Sequence, residues 1–273
     1  MQQPFGLWNH SNLEAARALW REWRGNGPWG RQSMRIDRLL VERGLFESRA
    51  RAQAAVQAGL VRVNGAVVSK PSADIAETAQ IEAQDVHDYV SRGGLKLAAA
   101  LDSFGFDPKD RIAIDVGSST GGFTEVLLRR GALRVFAVDV GHDQLHPRLR
   151  ANPAVQVMEG TDIRTLTPQS LGVPVEMVVM DASFISLSQI LPAALALAAP
   201  GAKLVALVKP QFEAGRSALK KGIVRDPLVH EEVCANARAS VSALGWQVLD
   251  LIPSPIAGGD GNLEFLLGAE RPE

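Results

Sequence analysis

The 273-residue chain has a single cysteine, Cys234, which excludes an internal disulfide and a cysteine-based zinc cage. One thiol suits a reducing compartment, and filling core space is its expected role. Charge of either sign is not in excess: 29 Lys and Arg face 30 Asp and Glu, a net charge of −1. Bulk charge therefore predicts no polyanion partner, and nucleic-acid affinity would have to come from local patches. Long hydrophobic runs are also missing. The most apolar stretch, 190–208, is broken by Pro192, Pro200, Gly201 and Lys203, and reads as a helix, a turn and a buried strand. The first residues carry no secretory-signal pattern, and there are no repeats or low-complexity tracts. His142 and His146 are four apart without a third ligand, so they read as surface residues and no metal is expected. These absences point to a soluble, cytoplasmic protein without stable membrane association; oligomeric state leaves no trace in the pattern.

What is present is concentrated at 111–128, RIAIDVGSSTGGFTEVLL. The apolar Ile112, Ala113 and Ile114 end in Asp115. A bend of small residues follows, Gly117, Ser118, Ser119, Thr120, Gly121 and Gly122, and a helix-like run opens at Phe123. A buried strand turning sharply into a helix is where open α/β sheets bind nucleoside ligands. The spacing G-x-x-x-G-G is not the G-x-G-x-x-G of dinucleotide sites, and no Gly-Lys-Ser/Thr follows as in a P-loop. Asp139, at the end of the next predicted strand, is placed to accept hydrogen bonds from ribose hydroxyls. Asp162 and Ile163, after the third strand, are placed to meet an adenine edge. Loop, Asp139 and Asp162 together resemble the S-adenosyl-L-methionine site of Rossmann-like methyltransferases.

Alternating pattern predicts strands at 112–116, 135–140, 155–159, 177–180, 203–208, 247–252 and 263–268. Helices are expected at about 97–104, 122–130, 144–150, 187–198 and 228–244. The fold class expected is α/β, a mostly parallel seven-stranded sheet covered on both faces, preceded by a smaller α+β unit.

Four of the five tryptophans, Trp8, Trp20, Trp23 and Trp29, lie in the first 29 residues. Ser11 and Glu14 form a capping-box pattern for a short helix over 12–23, after which Gly25, Gly27, Pro28 and Gly30 break the chain. Residues 1–33 read as an appended, flexible extension, 34–88 as the small unit, 89–95 as a linker and 96–273 as the large unit. In the small unit a helix over 35–43 ends at Gly44, and Ser48 caps a second that ends at Gly59. Strands at 60–63 and 66–68 flank Asn64-Gly65, a hairpin signal. Between 35 and 70, seven basic residues (Arg35, Arg38, Arg43, Arg49, Arg51, Arg62, Lys70) oppose three acids (Asp37, Glu42, Glu47). The capped helix at Ser48-Arg49, Gly59, the Val63-Asn64-Gly65 turn and Lys70-Pro71 resemble the S4 domain, a small RNA-binding unit. That resemblance implies that Arg35, Arg38, Ser48, Arg49, Arg51, Arg62 and Lys70 meet structured RNA, and Arg92 is a further candidate.

Four polar residues interrupt apolar or small-residue context: Lys96 in SRGGLKL, Asp181 in VVMDASF, Lys209 in LVKPQFE and Glu264 in GNLEFL. With these motifs, residues 34–273 resemble the TlyA-type (haemolysin A-like) ribosomal RNA methyltransferases, relatives of the FtsJ methyltransferases. The resemblance implies transfer of a methyl group from S-adenosyl-L-methionine to ribose 2′-oxygens of ribosomal RNA or ribosomal subunits. It also implies a Lys-Asp-Lys-Glu tetrad at Lys96, Asp181, Lys209 and Glu264. Lys209 is then the base or hydroxyl-orienting group, Lys96 places a second positive charge beside it, and the two acids fix the lysines. Asp115, the loop 117–122, Phe123, Asp139, Asp162, Ile163 and Asp181 are the expected cofactor contacts. The alternatives are a cytolysin, which the family's historical label suggests, and an RNA-binding protein without catalysis.

Overall fold

The computed structural model describes residues 33–85, 88–215, 218–258 and 261–273. The predicted helix at 12–23 lies outside them. The chain divides after Asp88 into two compact units.

In the first unit, α1 (Ile36–Glu42) and α2 (Arg49–Gln57) accompany two small antiparallel sheets. One pairs β1 (Ser33–Arg35) with β4 (Asp74–Ala76); the other has the order β3 (Ala66–Val67), β2 (Val61–Val63), β5 (Ile81–Ala83). Gly44, at φ 69°, ends the first helix as the Leu45 N–H reaches back to the Leu40 carbonyl at 2.9 Å. Ser48 caps the second: its Oγ accepts from the Arg51 N–H at 3.3 Å. Asn64 and Gly65, at φ 49° and 81°, make the left-handed pair that a two-residue hairpin requires. Ile36, Leu40, Ala52, Ala55, Val56 and Val61 are fully buried. Full burial of a Leu- or Ile-sized side chain contributes about 1.5–3 kcal/mol. The first and fourth strands carry no alternation in the sequence; pairing of Met34 with Ile75 creates them.

The second unit is a seven-stranded sheet with helices on both faces. Its strands are β6 (Ile112–Val116), β7 (Arg134–Asp139), β8 (Val155–Glu159), β9 (Val175–Met180), β10 (Ala198–Val208), β13 (Gln247–Pro253) and β14 (Phe265–Glu270), in the order β13-β14-β10-β9-β6-β7-β8. All neighbours are parallel except β14, which runs antiparallel to both β10 and β13. Burial alternates along the central strands with a period of two. Ile114, Val178, Met180, Leu204 and Ala206 pack with the helices α7 (Leu187–Ala196) and α9 (Pro227–Ala243). Ala113, Met177, Val179, Val205 and Leu207 pack with α3 (Gly93–Phe104) and α4 (Gly122–Arg129). Short helices α5 (Pro147–Arg150), α6 (Pro168–Leu171) and α8 (Pro210–Glu213) and the hairpin β11 (Leu219–Lys220) and β12 (Ile223–Val224) lie in connections.

Several boundaries differ from the sequence pattern; β10 begins at Ala198, five residues before the expected 203, and two others bear on the site. The third helix begins at Gly93, not near 97, because small residues carried no periodic signal. The last strand begins at Phe265, which leaves Leu263 and Glu264 in the loop before it. Cys234 is half-buried, not a core residue. Since chain order runs outward from β6 in both directions, the switch point of the sheet lies beside β6, at its carboxyl end.

Candidate active site

Asp139, Asp181 and Lys209 stand where β7, β9 and β10 end, whereas Lys96 comes from α3 and Glu264 from the loop before β14. After β6, Gly117 adopts φ 82°, and a Cβ there would lie 3.0 Å from the Ala182 backbone beyond β9. Only glycine lets the two exit loops approach so closely. The Gly117 and Ser118 N–H groups both donate to the Val138 carbonyl, at 2.9 and 3.1 Å, which closes the bend. Asp139, at the end of β7, accepts from the Ser119 N–H at 2.8 Å and the Gly141 N–H at 2.7 Å. It lines a cavity of about 610 Å³ with Gly117, Ser119, Asp162, Ile163 and Asp181. Each Asp139 oxygen keeps a lone pair for a ligand hydroxyl.

A second, smaller cavity of about 280 Å³ shares Gly117, Ser119, Asp181 and Ser183 with the first, and adds Ser118, Thr120, Gly122, Phe123, Arg92 and the two lysines. Here the tetrad comes together. Lys96 lies in the first turn of α3, with its Nζ 2.5 Å from Glu264 Oε2; both residues are buried. Lys209 follows β10, with its Nζ 2.6 Å from Asp181 Oδ1. That pair is ionic contact without hydrogen-bond alignment; Lys209 donates instead to Ser183 Oγ at 2.7 Å and to the Asp181 carbonyl at 3.3 Å. Gln211, two residues after Lys209, donates its Nε2 to Glu264 Oε1 at 3.4 Å. Two buried positive charges with two partner carboxylates leave the wall neutral, which is the condition for keeping ions out of water.

Not every expected contact is at a cavity wall. Asp115 is fully buried beneath the loop and lines neither cavity. Its Oδ2 accepts from Thr124 Oγ1 at 2.7 Å and its Oδ1 has no partner. Burial pushes its carboxyl up to about 7, against the Thr124 hydrogen bond and with help from the nearby Asp181 and Asp139 charges. Gly121 also faces away: its φ is 99°, and a Cβ would run into Leu149 and Leu145. Asp162 reaches the larger cavity but caps a 3₁₀ turn, accepting from the Arg164 N–H at 2.9 Å, with its carboxylate 2.6 Å from the Arg164 guanidinium. That hydrogen-bonded pair holds it below the usual carboxylate range.

Residues that the sequence reading missed complete the site. Ser183 and Gln211 each stand two positions after a tetrad member, Ser183 in the loop after β9 and Gln211 in the four-residue helix α8, segments too short to show a period. Phe184, 89% exposed, stacks at 5.1 Å on Phe212, whose ring centre lies 5.9 Å from Lys209 Nζ. The buried Ser118 hydroxyl has no protein partner and lines the smaller cavity. An unpartnered polar atom there fits a polar ligand.

In the small unit the candidate RNA residues separate. Arg35 and Arg49 hold the buried Asp37, each at 2.9 Å, while their own side chains stay 43% and 53% exposed. Arg51 is tied to Asp85 at 2.5 Å and to Glu47 at 3.3 Å. Arg38 lies 4.0 Å from Glu42, and Arg62 donates to the Gly65 carbonyl at 3.1 Å. Ser48 is spent as a cap, and Lys70 is exposed.

A glycine-rich bend at the switch point, an acid after the second strand and charged rim residues define the Rossmann-like methyltransferase class. A family model described as FtsJ-like methyltransferase matches residues 89–271, and one for the S4 domain matches residues 34–81. The chain belongs to the FtsJ-like methyltransferases, in the TlyA-type group that carries an S4 domain. It is 49% identical over 242 residues to YqxC of Bacillus subtilis, covering 87% of this chain and 86% of that one. It is 42% identical over 236 residues to the 16S/23S rRNA (cytidine-2′-O)-methyltransferase TlyA of Mycobacterium tuberculosis, covering 85% and 88%. Hemolysin A of Brachyspira hyodysenteriae is 38% identical over 85% of this chain and 98% of its own. A solved hemolysin structure from Streptococcus thermophilus matches with a TM-score of 0.71 and 43% identity, covering 89% of this chain and 90% of that one.

Proposed function

We propose that this protein transfers the methyl group of S-adenosyl-L-methionine to a ribose 2′-hydroxyl of ribosomal RNA, in the cytoplasm. One observation carries the reading: two lysines, each paired with a carboxylate, line a small cavity that shares Gly117, Ser119, Asp181 and Ser183 with the larger one bearing Asp139. When bound, S-adenosyl-L-methionine supplies a sulfonium-activated methyl group. Asp139 would hold its ribose hydroxyls, and Gly117, Ser118 and Ser119 would hold its amino-acid end. Lys209, kept in place by Asp181 and Ser183, orients the attacking hydroxyl and stabilises its oxygen as its proton passes to water. Lys96, kept by Glu264, faces the same cavity and holds the ribose or its phosphate. The relatives that share this architecture include enzymes named for cytidine 2′-O-methylation of ribosomal RNA. The small unit, with Arg35, Arg38, Arg49 and Lys70 partly or fully open to solvent, supplies the RNA contacts away from the reacting ribose. A cytolysin would leave two buried ion pairs around a polar cavity without a task.

General acid–base assistance is worth about 10²–10⁴-fold, and alignment supplies much of the rest. Lys209→Ala is expected to lower methyl transfer from labelled cofactor to ribosomal subunits by at least roughly 10²-fold. Calorimetry is expected to find S-adenosyl-L-methionine affinity nearly intact, since no carboxylate or backbone group assigned to the cofactor is removed. Loss of cofactor binding in this variant, or full turnover, would refute the assignment.

A further inference from the structure

The hairpin of β11 and β12 has no part in the chemistry just described, yet it concentrates unpaired positive charge. Among the described residues of the large unit, Arg92, Lys109, Arg134, Lys220, Lys221 and Arg225 make no side-chain hydrogen bond or ion pair. Three of these six fall within residues 220–225, all exposed. Most other arginines of the unit are held by an acid, as Arg130 is by Asp102 at 2.7 Å and Arg150 is by Glu159 at 2.5 Å.

The turn itself is strained where it is charged. Lys221 and Gly222 form its centre at φ 54° and 79°. The first central position of such a turn suits Gly, which has no Cβ to crowd the following carbonyl, or Asn and Asp, whose short polar side chains can hydrogen-bond locally. The hairpin of the small unit follows that rule with Asn64 at the same position, φ 49°. A lysine held there against local preference points to a use for its charge.

The hairpin is also fastened to the active site. Asn262 is 1% exposed; its Oδ1 accepts from the Val224 N–H and its Nδ2 donates to the Gly222 carbonyl, both at 3.0 Å. Asn262 stands two residues before Glu264, and its own carbonyl accepts from the Gly258 N–H at 2.9 Å. Gly258 in turn packs against the Glu264 carboxylate, where a Cβ would come within 2.5 Å of Oε1. One buried side chain thus joins the basic turn to the loop that seats a tetrad member.

We propose that the Leu219–Val224 hairpin, with Arg225, is an RNA-binding element that holds backbone phosphates flanking the target ribose. Asn262 fixes it at the rim of the catalytic cavity. The inference builds on the RNA methyltransferase reading and adds a contact surface to it. Lysine and arginine at a fixed spacing neutralise phosphates and release counterions, so binding through them weakens as salt rises. Such contacts position the strand without reading its sequence.

The test is the affinity of the full chain for a ribosomal RNA fragment across a salt series, measured by fluorescence anisotropy. The triple variant Lys220→Gln, Lys221→Asn, Arg225→Gln should reduce the slope of log K against log salt by roughly 2, about 0.7 for each lost single-strand phosphate contact. The S-adenosyl-L-methionine affinity of that variant should match the wild type. Lys221→Asn alone relieves the turn, so it should leave the melting temperature unchanged or raise it while still weakening RNA binding; a merely structural role predicts no weakening. An unchanged salt slope in the triple variant overturns the proposal, as does a parallel loss of cofactor affinity, which would signal damage to the large unit. Failure of the catalytic reading looks different: wild-type protein would bind the RNA with the steeper slope yet transfer no label to it.

Discussion

Each unit buries one aspartate completely, and the two carboxylates are treated in opposite ways. Asp37, in the small unit, receives Arg35 at 2.9 and 3.0 Å, Arg49 at 2.9 Å and Gln53 at 2.7 Å. The Arg35 hydrogen bonds, with those of Arg49 and Gln53, outweigh desolvation and hold its carboxyl well below the usual range. Asp115, in the large unit, has one hydroxyl donor and no cation, and burial pushes it up to about 7. Both carboxylates are closed off from solvent, but desolvation is the dominant effect only for the deeper Asp115. Depth, together with the number and charge of the donors, decides which form the interior accepts. Location explains the choice. Asp37 is covered only by two half-exposed guanidiniums at the edge of a small core, and it ties both helices together. Asp115 lies under the glycine-rich loop, where Asp139 and Asp181 already supply negative charge and a third full charge would repel both.

The comparison is broken most severely by Asp37→Ala. Removing four charge-assisted hydrogen bonds should destabilise the small unit by about 3 kcal/mol, a large share of what so small a core can hold. Hydrogen exchange should show the loss among residues 33–85, with exchange in the large-unit sheet unaltered. A next-largest effect, of opposite sign, is expected for Asp115→Asn. The folded carboxyl retains a proton to about 7 that the unfolded chain releases near 3.9, so wild-type stability falls as pH rises between those values. The asparagine variant should therefore be more stable than wild type at pH 8 and gain nothing near pH 4, with the difference growing as pH rises between those values. A pH series of denaturant melts checks this, and a variant less stable at pH 8 would refute it. For Asp37 the sign reverses: its contribution is present above about 4 and is lost as pH falls below the unfolded value. The smallest effect belongs to Ser48→Ala, which removes one cap bond and should cost about 1 kcal/mol by thermal melting of the small unit.

How much of this was legible depended on whether a residue acts through local pattern or through distant neighbours. β6, the glycine bend and the helix after it were readable because an apolar run, small residues and a helical run succeed one another within eighteen positions. The Ser48 cap and the Asn64-Gly65 turn were readable for the same reason. β1 and β4 were not, since three residues without alternation become strands only by pairing across forty positions. The tetrad residues were named from motifs that resemble a family, but nothing in those motifs said which lysine would take which acid. Ser183 and Gln211 gave no signal, because a polar residue in a short connection reads as solvated until a partner is seen beside it. For Asp115, next to the last residue of β6, the sequence did not say which face the pleat would choose, and in the fold it points inward beneath the loop.

The order of apolar strands, the small-residue loop at the sheet's switch point and the capped basic helix followed from the residue string alone, since period, caps and turns are short-range properties of the backbone. The pairing of Lys96 with Glu264 and of Lys209 with Asp181, the neutralisation of Asp37, the stranded proton on Asp115 and the fastening of a charged turn by Asn262 were decided by the folded chain. Coulomb interaction, hydrogen bonding and desolvation depend on distances in space, and partners as far as 168 positions apart acquire those only when each unit has folded.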